Sequence, residues 1–143
     1  MPYGIFNSVR IAVEHDGLVA LAQRSFHGEQ GGMYEIFGGK IEDETIRDAA
    51  VRELNEEVGT NIVDFLNWEP LEFAPYEITR GKHAGRKCRI FGFAAVAEST
   101  ELQLDPAEHN PGSEIWVPPQ SIETMSGVTP ATVVAMRGLK NLF

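Results

Sequence analysis

The chain has a single cysteine, Cys88, so no disulfide can form within its 143 residues and no cage of thiolates can hold a metal. It has no apolar run near the length that crosses a bilayer, and its first residues, MPYGIFNSVRIAV, lack the basic stretch and long apolar run of a secretory leader. A cytoplasmic protein with no membrane association is the expectation. Cations are scarce too: 12 Lys and Arg stand against 21 Asp and Glu, a formal net charge of −9. A surface of that sign repels a phosphate backbone and argues against general nucleic-acid binding. Small phosphorylated ligands stay open, provided divalent cations stand between them and the protein. No repeat, low-complexity tract or linker-like shift divides the sequence, and the length suits one domain over residues 1–143.

What is present follows two periods. Ser8 to Glu14 alternates as a strand does, Asp16-Gly17 signals a turn, and Leu18 to Gln23 is apolar again, which predicts a hairpin. Arg24 ends the second strand. The glycine-rich SFHGEQGGM reads as a loop, and Tyr34 to Phe37 as a short strand broken by Gly38 and Gly39. Ile62 to Phe73, Tyr76 to Thr79 and Lys87 to Ala97 are further strand candidates, the last preceded by a polar RGKHAGR turn. A polar loop from Glu98 to Glu114 leads to Ile115 to Val117, which Pro118-Pro119 stops. Thr129 followed by Pro130 opens a C-terminal helix to about Leu142. Strands on both sides of a central helix predict an α+β fold, an α/β/α sandwich with a mixed β-sheet.

That central helix lies in Phe37 to Thr60, FGGKIEDETIRDAAVRELNEEVGT. Thr45 with Asp48 three residues on marks its start and Gly59 its end. Ile46, Ala50, Leu54 and Val58 form an apolar stripe, while Glu53, Glu56 and Glu57 share the adjoining arc. Carboxylates a turn apart repel unless a cation holds them, so the cluster points to a hard divalent metal. Ala49 lies in the same arc, where its small side chain is expected to leave space for a hydrated ion. Arg52 stands four residues before Glu56 and can steady one carboxylate.

Gly38, Glu44, Arg52, Glu53, Leu54, Glu56, Glu57 and Gly59 stand at the spacings Gly-x5-Glu-x7-Arg-Glu-aliphatic-x-Glu-Glu-x-Gly. This resembles the signature of the Nudix hydrolases, and only Thr60 misses its final aliphatic place. The strand ending in Arg24 and the late Trp116-Val117-Pro118 are similar to that family's surroundings. Two features depart from it: Asp43 stands where a glycine is common, and GGKIE sits one residue closer to Glu44 than in many members. The resemblance implies a Nudix-type sandwich and a Mg²⁺-dependent pyrophosphohydrolase, with Mn²⁺ as a substitute. Its implied substrate is a nucleoside diphosphate derivative or an oxidised nucleoside triphosphate. Carried over by position, Glu53, Glu56 and Glu57 bind metal, Glu53 is also the candidate base, Arg52 orients Glu53, and Glu44 supports the far end. Gly38 or Gly39 presents a backbone carbonyl to the metal; Gly38 is preferred, leaving Gly39 beside the substrate. A carboxylate from the late loop, Glu108 or Glu114 with Glu108 preferred, assists.

Other residues carry two readings each. Arg24 either contacts a phosphate or snorkels at its strand end. Tyr34 and Phe37 either stack on a base or belong to the core. Arg80, Lys82, His83, Arg86, Lys87 and Arg89 form a basic hairpin that is a solvated face or holds a distal phosphate. His109 invites a ligand role or is an ordinary loop histidine, and Cys88 reads as a buried apolar residue. Tyr3, Phe6 and Trp68 serve an interface or the core, which leaves monomer and homodimer both open. GGKIE resembles the branch that removes oxidised purine nucleotides, but Thr132 stands where that branch has a base-reading asparagine. The competing function is a nucleotide-derivative binding or sensor module without catalysis; an isomerase is disfavoured by the setting of Cys88.

Overall fold

Alternation in the N-terminal segment builds the longest strand pair. The computed structural model describes residues 5–28, 30–59, 62–79 and 81–143, with the backbone alone at residue 63. Tyr3, Thr60 and Arg80, which enter the expectations above, lie outside the described residues. Strand β1 (Ile5–His15) turns at Asp16-Gly17 into β2 (Leu18–Gln23). Both turn residues have positive φ, 50° and 81°, as a tight hairpin with matching twist requires. β1 and β2 pair only beside this turn, at Glu14↔Val19 and His15↔Leu18. Beyond it β3 (Tyr34–Glu35) takes the edge of β2, and β4 (Phe37–Lys40) takes the edge of β1. The two strands thus splay, and the segment before the central helix fills the wedge.

β4 corrects one expectation, since the chain runs extended through Gly38 and Gly39 and does not break there. Gly38 lies opposite Arg10 at φ 145°, and a Cβ on it would collide with the Val9 carbonyl. Glycine is what lets the strand continue.

β5 (Ile62–Phe65), β6 (Leu71–Glu72) and β7 (Tyr76–Glu77) pair antiparallel with β8 (Lys87–Ala97), which lies parallel to β1 from Ile5↔Lys87 to Glu14↔Val96. β9 (Ile115–Val117) pairs with β2, so the sheet is mixed. The single strand expected over Ile62 to Phe73 is two pieces. Between them the Asn67 side chain accepts the Ala94 N–H at 2.7 Å and donates to the Gly92 carbonyl at 3.2 Å, replacing a rung of the ladder.

Helix α1 (Ile46–Val58) covers one face of the sheet and α2 (Pro130–Leu139) the other. Under α1 lie Val9, Ile11, Val13, Phe37, Phe93 and Ala95; under α2 lie Leu21, Ile36, Cys88 and Ile90. This is the α/β/α sandwich expected. Thr45 caps α1, its hydroxyl accepting the Asp48 N–H at 3.1 Å, and Gly59 closes it at φ 75°. No helix among the described residues is long and apolar enough to cross a membrane.

Candidate active site

The stripe of α1 that docks on the sheet carries two of the three clustered glutamates down with it. Glu53 is 9% and Glu57 3% exposed, whereas the Glu56 side chain is 55% exposed. Ala49 is fully buried in the core beneath the helix, so it packs against the sheet and leaves no room for a hydrated ion, contrary to expectation. Among the described residues no three His, Cys, Asp or Glu side chains converge into a ready metal-binding group.

Arg52 organises the helix edge. Its guanidinium donates to both Glu44 oxygens, at 2.6 to 3.2 Å, to the Lys40 carbonyl at 3.2 Å, to Glu53 Oε1 at 3.1 Å and to Glu56 Oε2 at 3.3 Å. One planar fork therefore ties the start of the helix, its carboxylate edge and the end of β4 together. The Arg52 hydrogen bond holds the Glu44 carboxyl below its ordinary range, and the same contact raises Arg52.

Glu57 is held from the strand side, where Gly38 N–H donates to its Oε2 at 2.9 Å. Burial pushes its carboxyl well above the usual range, and a hydrogen bond with Glu53 pushes it further. The two buried carboxyls thus lie against one another. A Cβ on Gly39 would come within 2.5 Å of Glu53 Oε1, so glycine there gives the carboxylate its space. Two buried acids in contact, beside an open backbone, fit a hard divalent cation as a replacement for the proton between them.

The remaining expected residues are placed less uniformly. Arg24 is ion-paired to the buried Glu35 through Nη1 at 3.1 and 3.2 Å. Tyr34 is half-buried against the core under α2, with its backbone bonded to Gly127 and Thr129. Phe37 is fully buried among the residues under α1, which corrects its reading as a stacking surface: no base can reach that ring. Glu108 is exposed on its loop, while Glu114 Oε2 is buried without a hydrogen-bond partner among the described residues. In the basic hairpin Arg86 lies over the Phe6 ring at 4.7 Å and bonds His83 at 3.1 Å, and Arg89 pairs with Glu72 at 3.8 Å. Thr132 is buried, its hydroxyl accepting the Ile36 N–H at 3.1 Å.

Two residues, Glu35 and Arg10, escaped the sequence reading, and His109 is no ordinary loop histidine. Glu35 and His109 are buried polar groups behind Glu57, and Arg10 is 3.8 Å from Glu35. Burial opposes ionisation of Glu35, but the His109 hydrogen bond and the charges of Arg10 and Arg24 outweigh it and hold the carboxyl below its usual range. The available signal was a charged residue at an inward position of the short apolar segment Tyr34 to Phe37. His109 gave none, because its burial depends on where the loop lands.

Comparison with known proteins fits this arrangement. CTP pyrophosphohydrolase of Escherichia coli (strain K12) is 50% identical over 52 residues, covering 36% of this chain and 38% of that protein. RNA pyrophosphohydrolase of Caulobacter vibrioides (strain NA1000 / CB15N) is 33% identical over 102 residues, 66% of this chain and 59% of that one. The chain thus spans less than two thirds of the length of these curated relatives. The crystal structure of the MutT protein from Methanosarcina mazei Go1 superposes with a TM-score of 0.74 at 21% identity, over 99% of this chain and 96% of that one, a likeness of fold. The solution structure of the Escherichia coli ORF135 protein gives 0.68 at 25% identity, over 99% and 92%. With the NUDIX domain family model matching residues 6–135, which contain the whole Arg52-centred site, this chain belongs to the NUDIX domain family.

Proposed function

We propose that the whole chain forms one catalytic unit, a divalent-cation-dependent pyrophosphohydrolase that cleaves a phosphoanhydride bond in a nucleoside diphosphate derivative or nucleoside triphosphate. The observation that carries this reading is the buried Glu53–Glu57 pair, backed by the Gly38 amide and fixed to Glu44 through Arg52. Glu53, Glu56 and Glu57, with the Gly38 carbonyl, would hold Mg²⁺ or Mn²⁺. When bound, that ion supplies neutralisation of the phosphate oxygens as the bond to the leaving phosphate loosens.

The chain's own groups do the rest. Arg52 fixes the Glu53 carboxylate so that it can take a proton from the attacking water, and Glu44 fixes Arg52 in turn. Arg24 faces substrate phosphate from the end of β2, Tyr34 borders the base, and Gly39 leaves the backbone open beside Glu53. Glu108, exposed on its loop, is the better supplementary carboxylate than the partly buried Glu114.

Relatives differ in what their names say they cleave: CTP, RNA, and 8-oxo-dGTP for a Proteus vulgaris protein 47% identical over 45 residues, 31% of this chain and 40% of that protein. The net charge of −9 favours a free nucleotide over RNA, whose backbone it repels. The Thr132 hydroxyl is already committed to Ile36, which weighs against a purine reader at that position.

A panel containing CTP, 8-oxo-dGTP, other nucleoside diphosphate derivatives and a 5′-triphosphorylated RNA, with Mg²⁺ or Mn²⁺ and separated products, tests the proposal. Turnover of a free nucleotide, lost in Glu53→Gln and Glu57→Gln, is expected. Wild-type rates in both variants would sink it. Because three carboxylates do not converge among the described residues, a binding module is the second reading. Tight ligand retention with no turnover would establish that instead.

A further inference from the structure

Arg10 stands on the central strand β1, opposite Gly38 on β4 and Gly92 on β8. It shares the strand face of Ser8 and Ala12, which lies toward α2. Neither flanking glycine offers a side chain, and over Gly92 lie the apolar ends of Phe73 and Leu139. The Arg10 side chain is 16% exposed with its Nε buried, and no hydrogen bond joins it to any other described residue.

Its ion pair with Glu35, at 3.8 Å, is beyond hydrogen-bond reach. Glu35 is already engaged: Arg24 donates to both its oxygens at 3.1 and 3.2 Å, and His109 Nε2 lies 2.9 Å from one of them. Glu35 therefore holds the Arg10 charge in place without using its donors. Burial opposes that charge, but Glu35 chiefly, with Tyr76, Cys88 and Glu57 adding less, outweighs it. Neighbouring polar groups on this face are paired. Ser8 Oγ lies 3.4 Å from Cys88 Sγ, Tyr76 bonds Cys88, and Thr132 accepts the Ile36 N–H at 3.1 Å and bonds Thr129 at 2.9 Å.

A guanidinium carries five N–H donors and no acceptor. Left unbonded in so closed a setting it is a poor core residue, because an aliphatic side chain would fill the space with nothing to desolvate. With its charge offset by Glu35, what stays open is a fork of donors rather than an excess of charge, which suits a neutral acceptor edge better than a phosphate. The phosphates have their partner in the cation at the glutamates of α1. Gly38 joins the two places, since its N–H holds Glu57 and its partner across β1 is Arg10.

We infer that Arg10 reads the base of the nucleotide, its fork taking two adjacent acceptors: N3 and O2 of cytosine, or O6 and N7 of guanine. Uracil interposes an N3–H and adenine an amino group, so neither presents that pair. The inference deepens the nucleotide-hydrolase reading above and rests on it for the presence of a nucleotide.

The test is NMR titration of the cation-free protein with CMP against UMP and GMP against AMP, pairs of similar size that differ in this edge. Monophosphates contain no phosphoanhydride, so binding is read apart from turnover. Wild type is expected to prefer CMP or GMP within its pair by about tenfold, with the Arg10 Nε–H resonance moving on binding. Arg10→Lys keeps the charge beside Glu35 but not the fork, and is expected to abolish the preference by weakening the favoured base while leaving the other unchanged. Arg10→Gln, whose amide also accepts, is expected to do the same; if it does not fold, Arg10→Lys decides alone. An equal loss for both members of a pair, a preference that survives in folded Arg10→Lys, or a wild type without preference in either pair would overturn the inference. Base preference in a wild type that hydrolyses no nucleotide would sustain the role of Arg10 and overturn the catalytic reading, and turnover without base preference would do the reverse.

Discussion

Glu57 and the two glycines opposite it show how little space the site has. Gly38 and Gly39 are adjacent yet carry different constraints. A side chain on Gly38 meets backbone at Val9, whereas one on Gly39 meets the end of the Glu53 side chain. Gly38→Ala is therefore expected to cost about 1 to 3 kcal/mol of stability, read by urea denaturation, because backbone cannot yield. Gly39→Ala is expected to melt close to wild type while losing about a hundredfold in kcat, since a displacement near 1 Å at the proposed base, Glu53, is that costly. A second residue-scale prediction concerns Tyr76, whose hydroxyl is pushed from 10.0 to about 12, first by burial and then by neighbouring Cys88. The unfolded chain releases this proton near pH 10.0 and the folded chain only near 12. Above the first value the unfolded state binds fewer protons, so stability falls as pH rises. The contribution is complete below pH 10.0 and lost through about 12. Denaturation across that window should fall more steeply in wild type than in Tyr76→Phe.

At the scale of elements, the hairpin and α1 follow from local chemistry, while the segments after α1 do not. The bend between β5 and β6 is held by the Asn67 amide, which bonds Ala94 and Gly92 on β8. Asn67→Ala leaves two backbone groups of buried residues, the Ala94 N–H and the Gly92 carbonyl, short of a partner. A loss of about 1 to 2 kcal/mol is expected in chemical denaturation, with kcat little changed, because α1 meets this bend through Arg47, which bonds the Trp68 carbonyl and Glu69 at the exposed start of the helix, away from Glu53 and Glu57. Alternation could not reveal the break: Ile62, Phe65, Leu71 and Phe73 continue an apolar pattern across it, and only the partner strand shows which backbone groups Asn67 serves. Gly38 and Gly39 misled in the opposite direction. A glycine pair ordinarily signals a break, but here it permits close approach of β4 to β1 and to the glutamates.

For the molecule as a whole, the splayed β1–β2 pair puts α1, β4 and the late loop around one buried acidic pair. Two buried acids in contact oppose their own ionisation, a cost that a bound cation relieves, so Mn²⁺ or Mg²⁺ should stabilise the folded protein. At a free concentration a hundred times the dissociation constant the gain is about 2.7 kcal/mol, a rise in melting temperature of about 5 to 11 °C for a domain of this size. A thermal melt with and without the ion checks this. A Glu53→Gln, Glu57→Gln double variant should show no such rise, and should melt above wild type in the absence of cation, since no buried acid is left to ionise.

Sequence spacing by itself determined the family signature, the capped helix and the acidic edge, because each depends on residues within one or two helical turns of one another. The same holds for the N-terminal hairpin, which Asp16 and Gly17 impose locally. Which glutamates are buried was decided by tertiary packing: α1 rotates its stripe into the sheet and takes Glu53 and Glu57 with it, leaving Glu56 with Arg52 at the surface. The same packing closed Phe37 and Ala49 into the core. It also brought His109 behind Glu57, since a histidine 52 positions after Glu57 meets it only when the loop returns beside the end of β2. Periodicity records what lies on one face of one element, and contacts between elements so distant in the chain leave no trace in it.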